Sequence, residues 1–352
     1  MKICILGENL TSLALAKSLI NANLSVDIIT SKNLKLNNKS RTIGISKTNF
    51  KYFCDDIFNI RNLSWNINSI QIYTDNNLKK DLINFKDSNQ LFFIVKNNDI
   101  QKVLLNSLKK TKKFRKISKL EKKNYQLIIN CDFHHPVTKK FFSKRMEKNY
   151  NSYAYTTILK HKKLKNNQAI QVFTKNGPIA FLPISNCETS IVYSLNKKKQ
   201  IDKREFLNLI KKYNNKYVIK NIIEFGSFYL KSSNLRSYYN KNILAFGDLL
   251  HRIHPLAGQG YNMTLRDIKI ITNLIKEKQK LGLGFDSSIF SEFEKITKSK
   301  NYLFSQGIDF VYEFFNFERK INNKFLNNSV SVIAKNKVLN KTFKLVADVG
   351  TI

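Results

Sequence analysis

The sequence predicts an α/β fold in which a mostly antiparallel sheet is inserted into a parallel one and helices follow at the C-terminal end. Three observations predict it. Residues 2–30 alternate between strand, helix and strand patterns. Residues 153–195 contain strand-like runs separated by turn residues. Residues 287–346 place apolar side chains at the three-to-four spacing of a helix.

The N-terminal part predicts a β-α-β unit. Residues 2–6 (KICIL) form the first predicted strand, residues 12–22 an amphipathic helix, and residues 25–30 (SVDIIT) the second strand. Such a unit is the usual entry to a Rossmann-like, dinucleotide-binding fold. The loop after the first strand is therefore the first place to look for a phosphate-binding fingerprint.

That loop departs from the GxGxxG fingerprint. Gly7 supplies the first glycine, whereas Asn9 and Ser12 stand at the second and third positions. Asparagine tolerates positive φ better than most residues and serine is small, so we expect the loop to form. The second glycine is where a pyrophosphate comes closest. The acidic residue expected after the second strand is also missing, because Thr30 and Ser31 stand there.

Residues 247–267, GDLLHRIHPLAGQGYNMTLRD, are the most informative segment of the chain. The apolar residues 243–246 before it predict a short buried strand. Asp248 ends that strand and is placed to accept hydrogen bonds from ligand hydroxyls. Gly258 and Gly260 allow the backbone to approach a ligand closely. The helix that begins there offers free N–H donors and a positive dipole end to an anionic group.

This segment resembles the second flavin-binding motif of the FAD-dependent aromatic-ring hydroxylases. It is most similar to the ring hydroxylases of ubiquinone biosynthesis, which share the p-hydroxybenzoate hydroxylase fold. The resemblance implies that Asp248 holds the ribityl chain of FAD and that the loop with Gly7, Asn9 and Ser12 faces its pyrophosphate. It also implies that seven residues line the isoalloxazine ring, namely Pro255, Leu256, Ala257, Gly258, Gln259, Gly260 and Asn262.

The resemblance nominates two further cofactor-binding residues. Arg41 opens the segment RTIGIS (41–46) and is expected to contact a phosphate or the flavin, with a plain surface arginine as the alternative. Gln101 lies in a predicted helix over residues 97–108 and is expected to contact the cofactor. That helix is amphipathic whatever its role, so its pattern alone does not identify Gln101.

A third motif of the family is altered in this chain. The apolar residues 127–129 predict a buried strand, which in the family leads to Asp-Gly and then to serine and arginine. Here Phe133 follows Asp132, while Pro136 and Lys139 take the serine and arginine positions. In the family this motif helps to handle both FAD and the nicotinamide coenzyme.

The resemblance implies a flavin-dependent monooxygenase that hydroxylates a prenylated aromatic ring in ubiquinone biosynthesis. FAD would be the cofactor, NAD(P)H and O2 the co-substrates, and a prenylated phenol or quinol the substrate. The chemistry would be centred on the flavin, so no side chain is assigned as catalytic. The altered positions Asn9, Ser12, Thr30 and Phe133 leave open a non-catalytic scaffold subunit of a ubiquinone-biosynthesis complex. Other flavin chemistry is a further alternative.

The resemblance also divides the chain into three parts. Residues 1–150 and 235–285 would form the FAD-binding domain, and residues 151–234 the inserted substrate-domain sheet. Within that sheet, residues 173–185 (FTKNGPIAFLPIS) predict a turn and strand, and residues 189–195 a partner strand. Residues 286–352 would form a C-terminal helical region packed on the FAD domain. Its apolar positions are Phe290, Phe293, Ile296, Phe304, Ile308, Val311 and Phe315.

Composition limits the partners. The chain has 352 residues and a formal net charge of +36, from 61 Lys and Arg against 25 Asp and Glu. Lysines are spread along the whole sequence, which favours a compositional bias over a nucleic-acid surface, and no nucleic-acid partner is expected. Attraction to an anionic membrane surface remains open. An aromatic, lysine-edged C-terminal helix could rest on such a surface.

Cysteine and histidine usage indicates no metal site. The four cysteines (Cys4, Cys54, Cys131 and Cys187) are scattered without a CxxC pair, which suits a reducing compartment. Three of them, including Cys187, lie near apolar runs and are expected to be buried. His251 and His254 lack further ligands at a suitable spacing. With no visible signal peptide, we expect a cytoplasmic protein, with peripheral attachment to the inner face of the membrane as the open question.

Overall fold

Strands and helices alternate along the computed structural model, which describes residues 2–30, 40–75, 82–86, 90–121, 125–196, 200–321 and 348. Its strands are β1 Lys2–Leu6, β2 Ser25–Ile29, β3 Thr42–Ser46, β4 Ser64–Ile67, β5 Ser69–Thr74, β6 Ile83–Lys86, β7 Phe92–Lys96, β8 Phe114–Ile117, β9 Leu127–Asn130, β10 Arg145–His161, β11 Gln168–Thr174, β12 Gly177–Pro183, β13 Glu188–Leu195, β14 Ile219–Leu235, β15 Tyr239–Asn240, β16 Ile243–Ala245 and β17 His251–Arg252. Its helices are α1 Leu10–Asn21, α2 Lys47–Tyr52, α3 Asn97–Lys109, α4 Pro136–Phe141, α5 Lys203–Tyr213, α6 Gln259–Lys280 and α7 Ser288–Ile321.

Six of the described strands form the predicted parallel sheet, in the order β15-β16-β9-β1-β2-β8. All neighbours are parallel except β15 and β16. The apolar runs of β1 and β9 are almost completely buried, as expected for strands covered on both faces. The predicted β-α-β unit is confirmed. Its helix begins at Leu10, two residues earlier than predicted, because Asn9 caps it.

Eight of the described strands form the second sheet, in the order β17-β14-β10-β13-β12-β11-β5-β6. Its neighbours are antiparallel except β5 and β11, so the predicted fold class, with an inserted and mostly antiparallel sheet, is confirmed. The predicted turn between β11 and β12 contains Gly177 at φ +128°, where an added Cβ would lie 1.8 Å from the Ser194 carbonyl oxygen. Two strands of this sheet, β5 and β6, come from residues before 151.

A small antiparallel sheet, β3-β7-β4, lies beside the other two. Strand β3 is the RTIGIS segment without its arginine, and Asn97, the first residue of α3, donates its N–H to the Arg41 carbonyl at 3.0 Å. The predicted helix over 97–108 is confirmed as α3. This arrangement brings RTIGIS and the helix that carries Gln101 to one place.

Helix α7 is a single long helix in the predicted C-terminal region. Phe290 and Phe293 are completely buried in the core of the parallel sheet, and Tyr312 packs against the second sheet. The side chain of Phe315 and residues 322–347, to which the helical prediction extends, lie outside the described residues. None of the described helices combines the length and apolar character that a bilayer-spanning helix needs.

Cysteine burial corrects one expectation. Cys4, Cys54 and Cys131 are buried, whereas Cys187 is exposed. The prediction for Cys187 was wrong because the residue precedes β13 in a polar turn and does not belong to the apolar strand that follows. Among the described residues, no group of three or more His, Cys, Asp or Glu side chains is arranged to hold a metal ion.

Asp27 is a buried carboxylate in the middle of β2. Arg115 donates to it at 3.1 Å and Tyr125 at 2.7 Å, and Lys2 lies 2.9 Å away. Burial favours the protonated form, but the surrounding donors outweigh it, so the pKa of Asp27 lies below its ordinary value of 3.8. Its stabilising contribution is therefore present above pH 3.8 and is lost as the pH falls through the lower folded-state pKa.

We expect Asp27→Asn to lower the free energy of unfolding near neutral pH, and the difference from the wild type to shrink toward about pH 3. Urea unfolding at both pH values measures this. The matched control is Asp55→Asn, which removes an exposed carboxylate paired with Arg61 and should change stability little. A loss for Asp27→Asn that is equally large at both pH values would contradict the prediction.

Candidate functional site

The carboxyl ends of three parallel strands meet at one edge of the six-stranded sheet. Gly7 follows β1, Asp132 comes shortly after β9, and the Gly247–Leu249 turn follows β16. Gly7 has φ +99°, and a Cβ there would lie 3.1 Å from the Asp132 Cβ. Gly247 has φ +66°, and a Cβ there would lie 2.7 Å from the Thr11 side chain. Glycine thus lets the first loop pack against the loop after β9, and the Gly-Asp turn against the first turn of α1.

Asn9 works differently from the glycine that it replaces. Its φ is −91°, so the expectation that it is tolerated for positive φ was wrong. Its side chain caps α1, because Asn9 Oδ1 accepts from the Ser12 N–H at 3.0 Å and lies 3.1 Å from the Ser12 hydroxyl. Its Nδ2 donates to the Cys131 carbonyl at 2.8 Å. Asn9 thus joins the first loop to the loop after β9, and Ser12 is completely buried beneath it.

Asp248 is exposed at this edge, within the short turn that follows β16. Its charge acts on the Cys131 thiol in the loop after β9. Burial is the main cause that raises the pKa of Cys131 to about 12, and the Asp248 and Asp132 charges add to it. The predicted residues Gly7, Asn9, Ser12 and Asp248 are therefore brought together. Asp248 is the exposed acceptor among them, as a contact to ligand hydroxyls requires.

The glycine loop before α6 lies against strand β3. A short 3-10 turn, Leu256–Gly258, contains Ala257 and follows Pro255. Gly258 has φ +64°, and a Cβ on it would lie 3.6 Å from the Gly44 backbone nitrogen. The two backbones thus face each other with little more than van der Waals space between them. Gly260 lies in the first turn of α6, where Ile253 would be the nearest neighbour of a Cβ, at 3.8 Å.

Asn262 holds this loop to β3. Its Nδ2 donates to the Gly44 carbonyl at 3.0 Å, and its Oδ1 accepts from the Ser46 N–H at 2.9 Å and from the Asn49 amide at 3.1 Å. Its side chain is buried. Asn262 is predicted as a ring contact. In the structure its side chain fixes the geometry of the loop through these hydrogen bonds.

Gln101 and Arg41 lie near one another through Asn97. Gln101 Nε2 donates to Asn97 Oδ1 at 2.7 Å, while the Asn97 N–H donates to the Arg41 carbonyl. The Arg41 side chain is exposed. Gln101 Oε1 is buried and accepts no hydrogen bond from the described residues. A buried amide oxygen without a donor is costly, so its position is consistent with a donor supplied by a bound group.

Five more buried side-chain oxygens lack hydrogen-bond partners in the described part of the chain, and two of them lie at this site. These two are Asp132 Oδ2, beside Gly7, and Gln259 Oε1, at the start of α6. Natural proteins satisfy nearly all such atoms. Together with the glycine-lined edge, these atoms fit a polar ligand that spans from the first loop to the loop before α6.

A buried histidine–carboxylate pair, which the sequence reasoning did not assign, anchors the start of the glycine loop. His251 Nε2 lies 2.6 Å from Asp267 Oδ2, and both side chains are 1% exposed. Asn301 of α7 donates to Asp267 Oδ1 at 3.1 Å. The network ties β17, α6 and α7 together. The order of histidine and aspartate in the segment 247–267 was visible in the sequence, but their contact was not.

His254 is packed among aromatic rings just before Pro255. Its ring stacks on Tyr312 of α7 at 4.3 Å and meets Tyr150 of β10 edge-on at 4.9 Å. Tyr150 donates its hydroxyl to Asp309. Burial is the main cause that raises the pKa of Tyr150, and the Asp309 carboxylate raises it further. The glycine loop is thereby fixed to both the second sheet and α7.

Comparison with known proteins finds monooxygenases and hydroxylases of ubiquinone biosynthesis among the relatives of this chain. The chain is 26% identical over 200 residues to the ubiquinone biosynthesis monooxygenase COQ6 of Dictyostelium discoideum, covering 46% of this chain and 38% of the relative. It is 26% identical over 149 residues to the 3-demethoxyubiquinol 3-hydroxylase of Escherichia coli, covering 40% of this chain and 38% of the relative. The matches thus span about two fifths of the length of these curated relatives.

Solved structures share the fold over nearly the whole chain. The p-nitrophenol 4-monooxygenase PnpA of Pseudomonas putida superposes with a TM-score of 0.81 at 10% identity, covering 97% of this chain and 96% of PnpA. HpxO of Klebsiella pneumoniae, solved as an R204Q variant complexed with FAD, superposes with a TM-score of 0.77 at 9% identity and covers 99% of each chain. The fold expected from the family resemblance is confirmed.

Comparison of the sequence with models of protein families identifies the family of this chain. The squalene epoxidase family model matches residues 124–303, just over half of the 352 residues. The match includes β9, the second sheet from β10 to β14, the Asp248 turn, the glycine loop and α6. The resemblance to the ubiquinone-pathway hydroxylases is also confirmed by the relatives found. The chain therefore belongs to the squalene epoxidase family.

Proposed function

We propose that this protein is an FAD-dependent monooxygenase that hydroxylates a prenylated aromatic ring in ubiquinone biosynthesis, with NAD(P)H and O2 as co-substrates. The observation that carries the proposal is the edge where the loops after β1, β9 and β16 meet. Sheets with parallel strands bind ligands outside their carboxyl ends. The relatives that are named ubiquinone hydroxylases support the reaction class.

Each end of the proposed FAD site has its own residues. Gly7, Asn9 and Ser12 would face the pyrophosphate, and Asp248 would accept hydrogen bonds from the ribityl hydroxyls. Arg41 and Gln101 would contact the cofactor from the side of β3 and α3. The residues proposed to line the isoalloxazine ring are Pro255, Leu256, Ala257, Gly258, Gln259, Gly260 and Asn262.

The bound flavin would supply the redox and oxygen chemistry, and the protein would supply binding, orientation and exclusion of water. The backbone of Gly258 and the N-terminal end of α6 offer N–H donors and a positive dipole to a ring that gains negative charge on reduction. His254, packed between Tyr150 and Tyr312, keeps that loop in place. No side chain in this scheme has to act as a nucleophile.

An apolar cluster beside the glycine loop is the proposed place for a prenylated ring. Leu256 of the loop and Phe173 of β11 form its buried centre. Partly buried residues surround them, namely Ile72, Leu82, Ile308, Val311 and Phe314. The second sheet, the loop and α7 all contribute, so an aromatic substrate bound here would lie next to the proposed flavin ring. A phenol or quinol with a prenyl tail matches this apolar character.

We further propose that the protein is cytoplasmic and attaches to the inner face of the membrane. Helix α7 exposes Ile296, Leu303 and Phe310 at seven-residue intervals, which places them on one side of the helix. Leu303 is 60% and Phe310 70% exposed. The exposed Lys295 and the net charge of +36 would favour anionic lipids. We also propose that the protein works with partners in a biosynthetic complex. In the proposed division of the chain, residues 1–150 and 235–285 form the FAD domain, residues 151–234 the substrate sheet and residues 286–352 the C-terminal region.

Visible absorbance of the purified protein, after FAD is added and the sample is desalted, tests the proposal. We expect the bands of oxidised flavin to remain with the protein. Their bleaching by NADH or NADPH under anaerobic conditions would then show which coenzyme is used. A colourless protein that takes up no FAD would overturn the monooxygenase proposal and would favour a scaffold subunit.

A further inference from the structure

The first β-α-β unit lacks its expected acidic residue after β2, and a glutamate stands in the neighbouring loop after β1. In dinucleotide-binding sheets, an acidic residue after the second strand accepts hydrogen bonds from the ribose hydroxyls of adenosine. Here Thr30 follows β2. Asp27 cannot replace the missing acid, because its side chain is 2% exposed and three donors already occupy it. The carboxylate has to come from another part of the chain.

Glu8 reaches across the end of β2. The Gly7 N–H donates to the carbonyl of Ile29, the last residue of β2, at 2.8 Å and ties the first loop to that strand end. The Glu8 carboxylate forms an ion pair with Lys116 of β8. Strand β2 lies between β1 and β8, and Lys116 is in register with Ile28. An ion pair between the loop after β1 and a lysine of β8 therefore spans β2.

The surroundings of Glu8 suit a ligand contact. Its side chain is 18% exposed, so the carboxylate is largely covered and still accessible to a ligand. Lys116 is 35% exposed, and an ion pair of this kind contributes little to folding stability. The pair does fix the direction of the carboxylate, whose two oxygens can accept hydrogen bonds from two neighbouring hydroxyls.

Building on the proposed function, we propose that Glu8 binds the ribose hydroxyls of the adenosine half of FAD and that Lys116 positions its carboxylate. The acidic residue of this sheet has moved from the end of the second strand to the loop after the first. The contact exists only for a flavin that carries adenosine. Glu8 would therefore make the site select FAD over FMN, which lacks that half.

Isothermal titration calorimetry with FAD and with FMN tests this assignment. We expect Glu8→Gln to weaken FAD binding by roughly ten-fold or more, because charge-assisted hydrogen bonds become neutral ones, and to leave FMN binding unchanged. Asp55→Asn is the matched control, since it removes an exposed ion-paired carboxylate away from this edge. Adding Thr30→Glu to Glu8→Gln, which returns a carboxylate to the end of β2, is expected to recover most of the FAD affinity.

The outcomes separate this inference from the proposed function. If the wild type binds FAD and Glu8→Gln binds it equally well, the role of Glu8 is overturned and the flavoprotein proposal stands. An equal loss for FAD and FMN also overturns it, because the substitution would then act through the loop rather than through the ribose. A wild type that binds neither flavin overturns both proposals.

Discussion

Replacing Asp248 by alanine is expected to give a folded protein that no longer retains FAD through desalting. Asp248 is exposed in a short turn, so its loss should change folding stability little. In the proposed site it accepts hydrogen bonds from ribityl hydroxyls. Hydrogen bonds to a charged group contribute about 1.5–3 kcal/mol each, which corresponds to a ten-fold to more than hundred-fold loss of affinity.

Flavin content per chain and the dissociation constant for FAD measure this effect, and thermal unfolding confirms that the variant folds. Asp55→Ala serves as the control, because it removes an exposed carboxylate far along the chain from the Gly-Asp turn. Asp248→Asn should lie between the wild type and Asp248→Ala, since the amide oxygen still accepts hydrogen bonds. Unchanged flavin content in Asp248→Ala would contradict the ribityl assignment.

Replacing His251 by alanine is expected to destabilise the whole protein. The substitution leaves the Asp267 carboxylate buried with Asn301 as its remaining hydrogen-bond donor among the described residues. Removing one member of a buried pair typically costs about 3–5 kcal/mol, and Asn301 alone compensates the buried Asp267 carboxylate only in part. We also expect weaker FAD binding, because His251 begins the segment that leads to Gly258.

Urea unfolding of two single variants tests this expectation. His161→Ala is the matched control: His161 is also buried and hydrogen-bonded, but its partners are the Thr189 hydroxyl and a backbone carbonyl. We expect His251→Ala to lose clearly more stability than His161→Ala. Adding Asp267→Ala to His251→Ala should cost little further, since the unpaired carboxylate is then gone. Equal losses for the two histidines would show that the pair has no special role.

Local patterns in the sequence predicted the first β-α-β unit, β9, α3 and the turn between β11 and β12, but not β4–β8, β10 or β14. The apolar runs of β1 and β9 and the apolar spacing of α3 predicted their elements because burial on both faces or on one face leaves a direct periodic signal. The Gly177 turn was predicted because glycine punctuates it. The boundary of α1 was off by two residues, since the capping role of Asn9 is a matter of side-chain direction.

The parts of the site that depend on contacts between distant residues could not be read from one sequence. Asn262 accepts a hydrogen bond from Ser46, and Asn301 donates to Asp267, yet no local pattern links these positions. Glu8 is a further example, because its meaning depends on the order β1-β2-β8 of the sheet. A resemblance to a family supplies candidate residues, whereas the packing of the sheets decides which of them meet.

The strand order of the parallel sheet has a consequence for synthesis on the ribosome. In the sheet, β9 lies between β1 and β16. In the sequence, however, the strands β10–β14 separate β9 from β16, so they are synthesised before β16. A growing chain thus has its first loop ready long before the turn with Asp248 has been translated. Because pairings over such sequence separations form slowly and expose apolar edges meanwhile, the nascent protein depends on the inserted sheet folding before its own cofactor edge can close. Uptake of the proposed cofactor is therefore expected to be one of the last events in the maturation of this protein.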